Sequence, residues 1–503
     1  IVLELLTLAG TYSTYLLWSQ QYYTEPAFLL TALFLTLFWG LFYLVDIYRT
    51  LSDQQTSREV RRLVNILNAG IYFGFLYAIA DPLHHELMGL LTLLLAGLYV
   101  LPALLTRRKD PASGMLADHL LTVTALLVVA TSIQFTGFIT VTCWAVEAVV
   151  LAWLSARGSY RYLQIAAAGL FLLAAGKLFL TEGAFAWQDS GQFIPILNKR
   201  FLAFAALSLS IGISSRAFAG ADLKRKAFLQ PLFQAALCAL MFIALSVETN
   251  DLFKHWAVSA PTDLREHLEF SGHIALACVW ILYSLPLVYF GLRRNLHTLL
   301  QCGLVAAGVA FPAALFWGFS FSPIGDFTPV LNVRAAGIML ILCGMLLLTF
   351  WIRTRRDMSD WMSVVYPFLL VAELSLLLIL LTGETRDIFL QKMSVLRPQL
   401  DPAAASAELS ALENMKQLAL SSLWLGYGIV LMIFGIWKQV RLVRTMAIIL
   451  FGLAILKIFI YDLSFLDTLY RIFSFIGLGM ILLSASYLYQ RYKSVIVGKA
   501  EAP

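Results

Sequence analysis

Apolar stretches about twenty residues long follow one another from end to end of this chain, parted only by short polar breaks. That rhythm leaves one solvent in which the chain can fold. A helix crossing a bilayer needs about 20 mostly apolar residues, and lipid offers no partner to an unpaired backbone group, so each stretch is expected to span. Composition agrees: 60% of the 503 residues are hydrophobic and 13% charged, with a mean hydropathy of +0.80. A soluble domain carries roughly a quarter charged residues. The expected fold class is all-α, a polytopic integral membrane protein with about sixteen transmembrane helices. The first four spans fall at 1-18, 27-48, 63-80 and 87-106, and the last at 472-489. The chain opens at Ile1, without a methionine and already inside an apolar run, so its true start is expected to be missing or processed away. Neither a basic start nor a cleavage site marks a signal peptide.

Orientation follows from lysine and arginine. Basic clusters come after every even-numbered span, among them Arg58 to Arg62, Arg107-Arg108-Lys109, Lys224-Arg225-Lys226, Arg353 to Arg356 and Lys438 to Arg444. By the positive-inside rule these loops and the C-terminus face the cytoplasm, while 182-199, 247-269, 318-333 and 383-416 are outward loops. The net charge of +6 therefore reports topology. Basic residues spread over many short loops do not form the single face a nucleic acid needs, so no nucleic-acid partner is expected. Cys143, Cys238, Cys278, Cys302 and Cys343 lie inside apolar spans without metal-ligand spacing, and read as packing residues. No metal and no cofactor is expected.

The chain also repeats itself. Set without a gap, RYLQIAAAGLFLLAAGKLFLTE at 161-182 matches RLVRTMAIILFGLAILKIFIYD at 441-462, placing Lys177 on Lys457 and Glu182 on Asp462. Trp144 and Trp424 each precede these segments by the same interval, and Trp280 marks a third copy. Glu248-Thr249-Asn250-Asp251 matches Glu384-Thr385-Arg386-Asp387, and Pro195 to Arg200 reappears as Pro329 to Arg334. The chain is thus expected to contain parallel repeats of a four-helix unit at 116-217, 228-351 and 362-489. The region 1-115 holds four further helices, a degenerate repeat at best, and 490-503 is a cytoplasmic tail. WAVEAVVLAW at 144-153, the two Pro-x-Leu-Asn-x-Arg segments and the ending LFGLAILKIFIYDLSFLDTLYRIFSFIGLGMILLSASYLYQRY carry a resemblance. Over 116-493 the chain resembles DUF2339, a family of bacterial predicted membrane proteins of unknown function. The resemblance implies a bacterial inner membrane and supplies no activity.

Sites must be argued from charge. Asn198 and Asn332 fit helix N-caps, with proline marking the turn before each. Arg200, Arg334 and Arg471 then sit in the first turn of a helix, where a cation opposes the macrodipole by about 0.3-1 kcal/mol and needs an anion. The acid closing the preceding helix, Glu182 or Asp462, and a lipid phosphate are the partners expected. Lys177 and Lys457 lie five residues before those acids, about 140° around an α-helix, so each is expected to turn away from its acid, toward Glu147 and Glu373 respectively. The Glu-Thr-x-Asp segments read as solvated helix ends, and Trp144, Trp280 and Trp424 as interfacial belt residues. His84, His85 and Glu86, in an outward turn after Asp81-Pro82, are the weak catalytic candidates.

Three function classes fit these features. The set Glu147, Lys177, Glu182, Arg200, Arg334, Lys457, Asp462 and Arg471 reads either as a polar clamp between helices or as the lining of an outward-facing polar cavity; on the second reading the first class is transport, or handling of a lipid or envelope component, with membrane lipids and an anionic solute or headgroup as partners. The second is a scaffold subunit with protein partners in a membrane complex. The third is a transferase acting on envelope lipids at the outer face, although the absence of HExxH, GxSxG and Gly-rich phosphate loops leans away from an enzyme.

Overall fold

The computed structural model describes residues 2–52, 58–109, 114–158, 161–187, 193–217, 223–320, 327–354, 360–397 and 402–462, with isolated positions between 476 and 491. The described residues form helices and no strand. In chain order these are α1 (Val2–Tyr22), α2 (Phe28–Ser52), α3 (Arg58–Lys109), α4 (Gly114–Gln134), α5 (Phe138–Gly158), α6 (Arg161–Gly176) and α7 (Lys199–Ala217). They continue as α8 (Leu223–Ser259), α9 (Thr262–Arg294), α10 (His297–Ser320), α11 (Val333–Thr354), α12 (Asp360–Leu396), α13 (Pro402–Trp437) and α14 (Arg441–Lys457).

Twelve helices among the described residues, rather than sixteen, are long and apolar enough to cross a membrane. The difference arises at four places. Helix α1 carries Glu4 and a row of threonines, and α7 carries Lys199, Arg200 and Arg216, so neither is as apolar as the rest. Of the eighteen residues 472-489, eleven lie outside the described residues. Helix α3 contains both spans expected at 63-80 and 87-106, joined where His84 leaves the helical region at φ −144° and ψ 45°, two residues after Pro82. Trp39 shows that the chain reverses there. Its carbonyl accepts from Asn68 Nδ2 at 3.1 Å while its indole N–H donates to Tyr99 Oη at 3.0 Å. A straight helix would hold Asn68 and Tyr99 about 46 Å apart. The two arms of α3 therefore run side by side.

Two compact units divide the chain, Ile1–Ala244 and Leu245–Pro503, with the division inside α8. In the first, Leu8, Tyr12, Leu35, Trp39, Tyr72 and Tyr99 form a core between α1, α2 and both arms of α3, and Ala145, Leu163, Ala167 and Leu207 form another between α5, α6 and α7. In the second, Ile281, Ala310, Ile338, Ile341 and Leu376 pack α9, α10, α11 and α12. Gly337 and Gly344, two turns apart on α11, admit Ile274 and Ile281 of α9 so closely that any Cβ would collide with them. Small residues of this kind set helix spacing in lipid, where apolar burial gives no preference for protein over acyl chain. Leucines such as Leu172, Leu180, Leu346 and Leu453 point outward, as lipid-facing positions should.

The segments 247-269 and 383-416, expected as outward loops, are mostly continuations of helices among the described residues. Helices α8 and α12 have 37 residues each, α13 has 36 and α9 has 33. At 1.5 Å per residue the longest reach about 55 Å, well beyond a hydrocarbon core of about 30 Å.

Candidate functional site

The loop before α11 shows how a cation is accommodated in an apolar body. Val330 adopts a left-handed backbone, φ 67°, which turns its N–H onto Glu384 Oε2 at 2.8 Å. Two residues on, Asn332 Oδ1 caps α11 by accepting from the Ala335 N–H at 2.9 Å, and its Nδ2 reaches Glu384 Oε1 at 2.9 Å. Arg334, fully buried, then donates from Nη2 to Glu384 Oε1 at 2.8 Å and from Nη1 to Asp387 Oδ2. Arg386 Nε holds the other Asp387 oxygen at 2.7 Å. Gly383 makes the approach possible, because a Cβ there would lie 3.0 Å from the guanidinium carbon. The partner of Arg334 is thus the Glu-Thr-x-Asp segment of the following helix, not the acid closing the preceding one. That segment is no solvated end: Glu384 and Asp387 are buried inside α12, as are Glu248 and Asp251 inside α8. A buried guanidinium needs carboxylates that share its low-dielectric surroundings, and only a helix packed against it supplies them.

The loop before α7 has the same local geometry. Ile196 is left-handed at φ 68°, Asn198 Oδ1 accepts from the Phe201 N–H at 2.8 Å, and buried Arg200 donates to the Ala186 carbonyl at 3.1 Å.

Lys177 does not turn away from Glu182; the two form an ion pair at 2.9 Å. After Gly176 the chain widens into a π turn, Lys177–Thr181, in which the Glu182 N–H bonds the Lys177 carbonyl at 3.0 Å. An i→i+5 ring brings residues five apart onto one face, which the 100° step of an α-helix forbids. Glu147, expected to receive Lys177, keeps Oε2 buried without a hydrogen-bond partner. Helix α14 likewise passes into a π turn at Ile458–Asp462. Lys457 donates to Gln417 O at 3.1 Å and Ser421 Oγ at 2.8 Å on α13, while buried Glu373 accepts from Thr349 Oγ1 at 2.5 Å. The Asp462 side chain and the whole of Arg471 lie outside the described residues.

Trp144, Trp280 and Trp424 act as staples between helices. Their indole N–H groups donate to Val128 O, Ser246 Oγ and Thr382 Oγ1, each on the helix preceding their own. His84, His85 and Glu86 are exposed at the tip of α3, where His85 Nδ1 meets Asp81 at 2.6 Å. No group of His, Cys, Asp or Glu among the described residues could hold a metal ion.

A further polar cluster, missed in the sequence, lies at the other end of α1–α3. Glu4 on α1 takes Arg49 of α2 in a two-point ion pair at 2.6 and 3.3 Å. Asp46, a turn earlier on α2, is buried and holds Arg61 of α3, which also donates to Thr50 and, at 2.8 Å, to the Asp46 carbonyl. Fully buried His119 of α4 brings Nε2 to 3.6 Å from Asp46 Oδ2, within ion-pair range but beyond a hydrogen bond. The two pairs border a cavity of about 140 Å³. Asn65, 7% exposed, is among the lining residues, and its Nδ2, turned away from accessible space, lacks a hydrogen-bond partner. The signals were present in the sequence: Asp46 closes an otherwise apolar span, and Asp118-His119 opens another.

These features define an all-helical integral membrane protein crossing the bilayer many times, with charged side chains tied between its helices. The chain belongs to the family described as Predicted membrane protein (DUF2339), whose profile matches residues 1–492. No curated protein and no solved structure matches it.

Proposed function

We propose that this protein binds a polar solute or lipid headgroup at the cavity between α1, α2 and α3, as part of transport or of handling an envelope component. The observation that carries this reading is the cavity itself, about 140 Å³ bordered by four charged groups, Glu4, Asp46, Arg49 and Arg61. The outer charges support a different role. Arg334 and Lys177 close on carboxylates of their own unit, so they work as clamps. By the positive-inside rule the cavity, lined by Arg61 of the basic cluster Arg58 to Arg62, faces the cytoplasm of a bacterial inner membrane.

The test is a panel of small anions, cations and zwitterions titrated against the full chain in detergent while its unfolding temperature is followed. A saturable rise in the wild type, lost in Thr7→Trp, which fills the cavity, supports the reading. No response to any member, or an equal response in the filled variant, overturns it. The sealed Arg334 clamp favours a second reading, a scaffold subunit, whose expected outcome is a silent panel together with co-purification of a fixed membrane partner.

A further inference from the structure

We infer that the C-terminal ends of α5, α9 and α13 are seats for anionic phospholipid, each formed by an exposed aromatic ring and a cation stacked on it. The sequence sets the pattern. Nine residues after Trp144 and after Trp280 stands an aromatic, Trp153 or Tyr289, and thirteen residues after stands an arginine, Arg157 or Arg293. Ring and cation are thus four residues apart, which puts them together on one face of a helix. The guanidinium carbon of Arg157 lies 4.0 Å from the centroid of the Trp153 ring. Arg293 lies 6.0 Å from the centroid of the Tyr289 ring, and its Nη1 donates to Tyr289 Oη at 3.2 Å. On α13 the ring and the cation are neighbours at the helix end, with Lys438 Nζ 4.0 Å from the centroid of the Trp437 ring. None of these residues borders the cavity between α1, α2 and α3, so the two readings stand or fall separately.

Each pair ends an exposed stripe. On α5 the stripe runs through Val146, Val150 and Trp153 to Arg157. On α9 it runs in the same steps through Leu282, Pro286 and Tyr289 to Arg293. Steps of four, three and four residues keep to one side of an α-helix, and together they cover about 16 Å, close to one leaflet's half of a hydrocarbon core about 30 Å thick. On α13 exposed Val430 and Ile433 lead to Trp437 in the same way. An acyl chain can lie along such a stripe and bring its phosphate to the cation at the end. The charges point to the same partner. Arg49, Arg61, Arg334 and Lys177 each hold a carboxylate, whereas Arg157, Arg293 and Lys438 pair with none among the described residues. A guanidinium stacked on a ring presents its edge N–H groups to a phosphate, and the ring itself belongs at the level where acyl chains meet headgroups. A headgroup with its own ammonium would set a second cation beside the first, with no carboxylate to receive it. The geometry therefore selects a headgroup without an amine.

The experiment places the purified full chain in nanodiscs of equal parts phosphatidylglycerol and phosphatidylethanolamine and counts the lipids that leave with it in native mass spectrometry. Phosphatidylglycerol should be retained about fivefold over phosphatidylethanolamine, the preference expected of a basic residue beside an anionic headgroup. Changing Arg157→Gln, Arg293→Gln and Lys438→Gln together should return the ratio to about one, and should leave the unfolding temperature in detergent unchanged, because all three side chains are exposed. A second variant, Trp153→Leu with Tyr289→Leu and Trp437→Leu, keeps every charge and removes the rings; its ratio should fall at least about twofold. Arg107→Gln with Arg108→Gln, which removes two exposed cations of α3, should leave the ratio as in the wild type. No preference for phosphatidylglycerol in the wild type, or an unchanged ratio in either triple variant, overturns the proposal. An equal loss in the α3 variant overturns it too, since basic charge would then attract anionic lipid wherever it stands. Should the glutamine variant fail to fold, the leucine variant decides alone.

Discussion

Replacing Arg334 by methionine tests whether the charge at the start of α11 is a clamp. Methionine keeps the length of the aliphatic stem, so the cavity contribution is small and the change is mostly electrostatic. Asp387, fully buried, would keep only Arg386, and Glu384 would keep the Val330 N–H and Asn332 but lose its cation. Removing one partner of a buried pair costs about 3–5 kcal/mol, because it leaves an uncompensated charge rather than because the pair itself is worth that much. The cost should therefore fall when the stranded carboxylate is neutralised. Arg334→Met with Asp387→Asn is expected to recover at least about 2 kcal/mol of the loss, a coupling of the size found for contacting residues. Reversible unfolding in mixed micelles, followed by far-ultraviolet circular dichroism, gives both numbers. Asn332→Ala loses both the cap and a hydrogen bond to the Glu384 carboxylate, and should cost about 2–4 kcal/mol, with no recovery on adding Asp387→Asn. A cost below about 1 kcal/mol for Arg334→Met, or no recovery in the double variant, would show that the guanidinium is not held by these carboxylates and would refute the clamp.

Val330→Gly should stabilise the protein by about 0.5–1 kcal/mol in the same assay, since left-handed backbone costs a β-branched residue more than glycine loses in entropy, and the exposed Val330 side chain gives up little packing. Glu182→Gln should cost no more than about 1 kcal/mol, because its pair with Lys177 is partly exposed; a loss above about 2 kcal/mol would mean that the π turn depends on the charge. His85→Ala should leave unfolding unchanged, and loss of envelope function in that variant would revive the transferase reading. For the segment that follows α14, Arg471→Ala should destabilise and adding Asp462→Ala should restore stability; failure of the second change to compensate would separate the two residues.

Much of the fold was legible because the bilayer permits so few solutions. Span positions follow from apolar length, and Asp81-Pro82 correctly marked the place where α3 reverses. The N-caps at Asn198 and Asn332 were legible for a local reason: a cap is fixed by residues within one turn. Partners were not. Sequence showed that Arg334 needs an anion, but Glu384 stands fifty residues away on another helix, and only packing decides which helix lies alongside. The Lys177–Glu182 pair was missed because a π turn changes the angular step, and no residue in the segment announces the change. The cavity in the first unit went unread because 1-115 showed no repeat, although Asp46, Asn65 and Asn68 in apolar surroundings each carried the signal that led to Arg334.

The Arg334 clamp also constrains how the chain can be made. A ribosome completes α11 at Thr354 and reaches Glu384 thirty residues later, and at 5–20 residues per second that gap lasts about 1.5–6 s. Throughout it α11 carries a cation whose carboxylates do not yet exist, at a cost of about 2.5–3.5 kcal/mol if it sits at full bilayer depth. Helix α11 should therefore wait with its arginine at the interface and settle only as α12 arrives, the two entering the membrane as one unit. Nascent chains stalled before Glu384 should show α11 less completely inserted than chains stalled beyond Asp387.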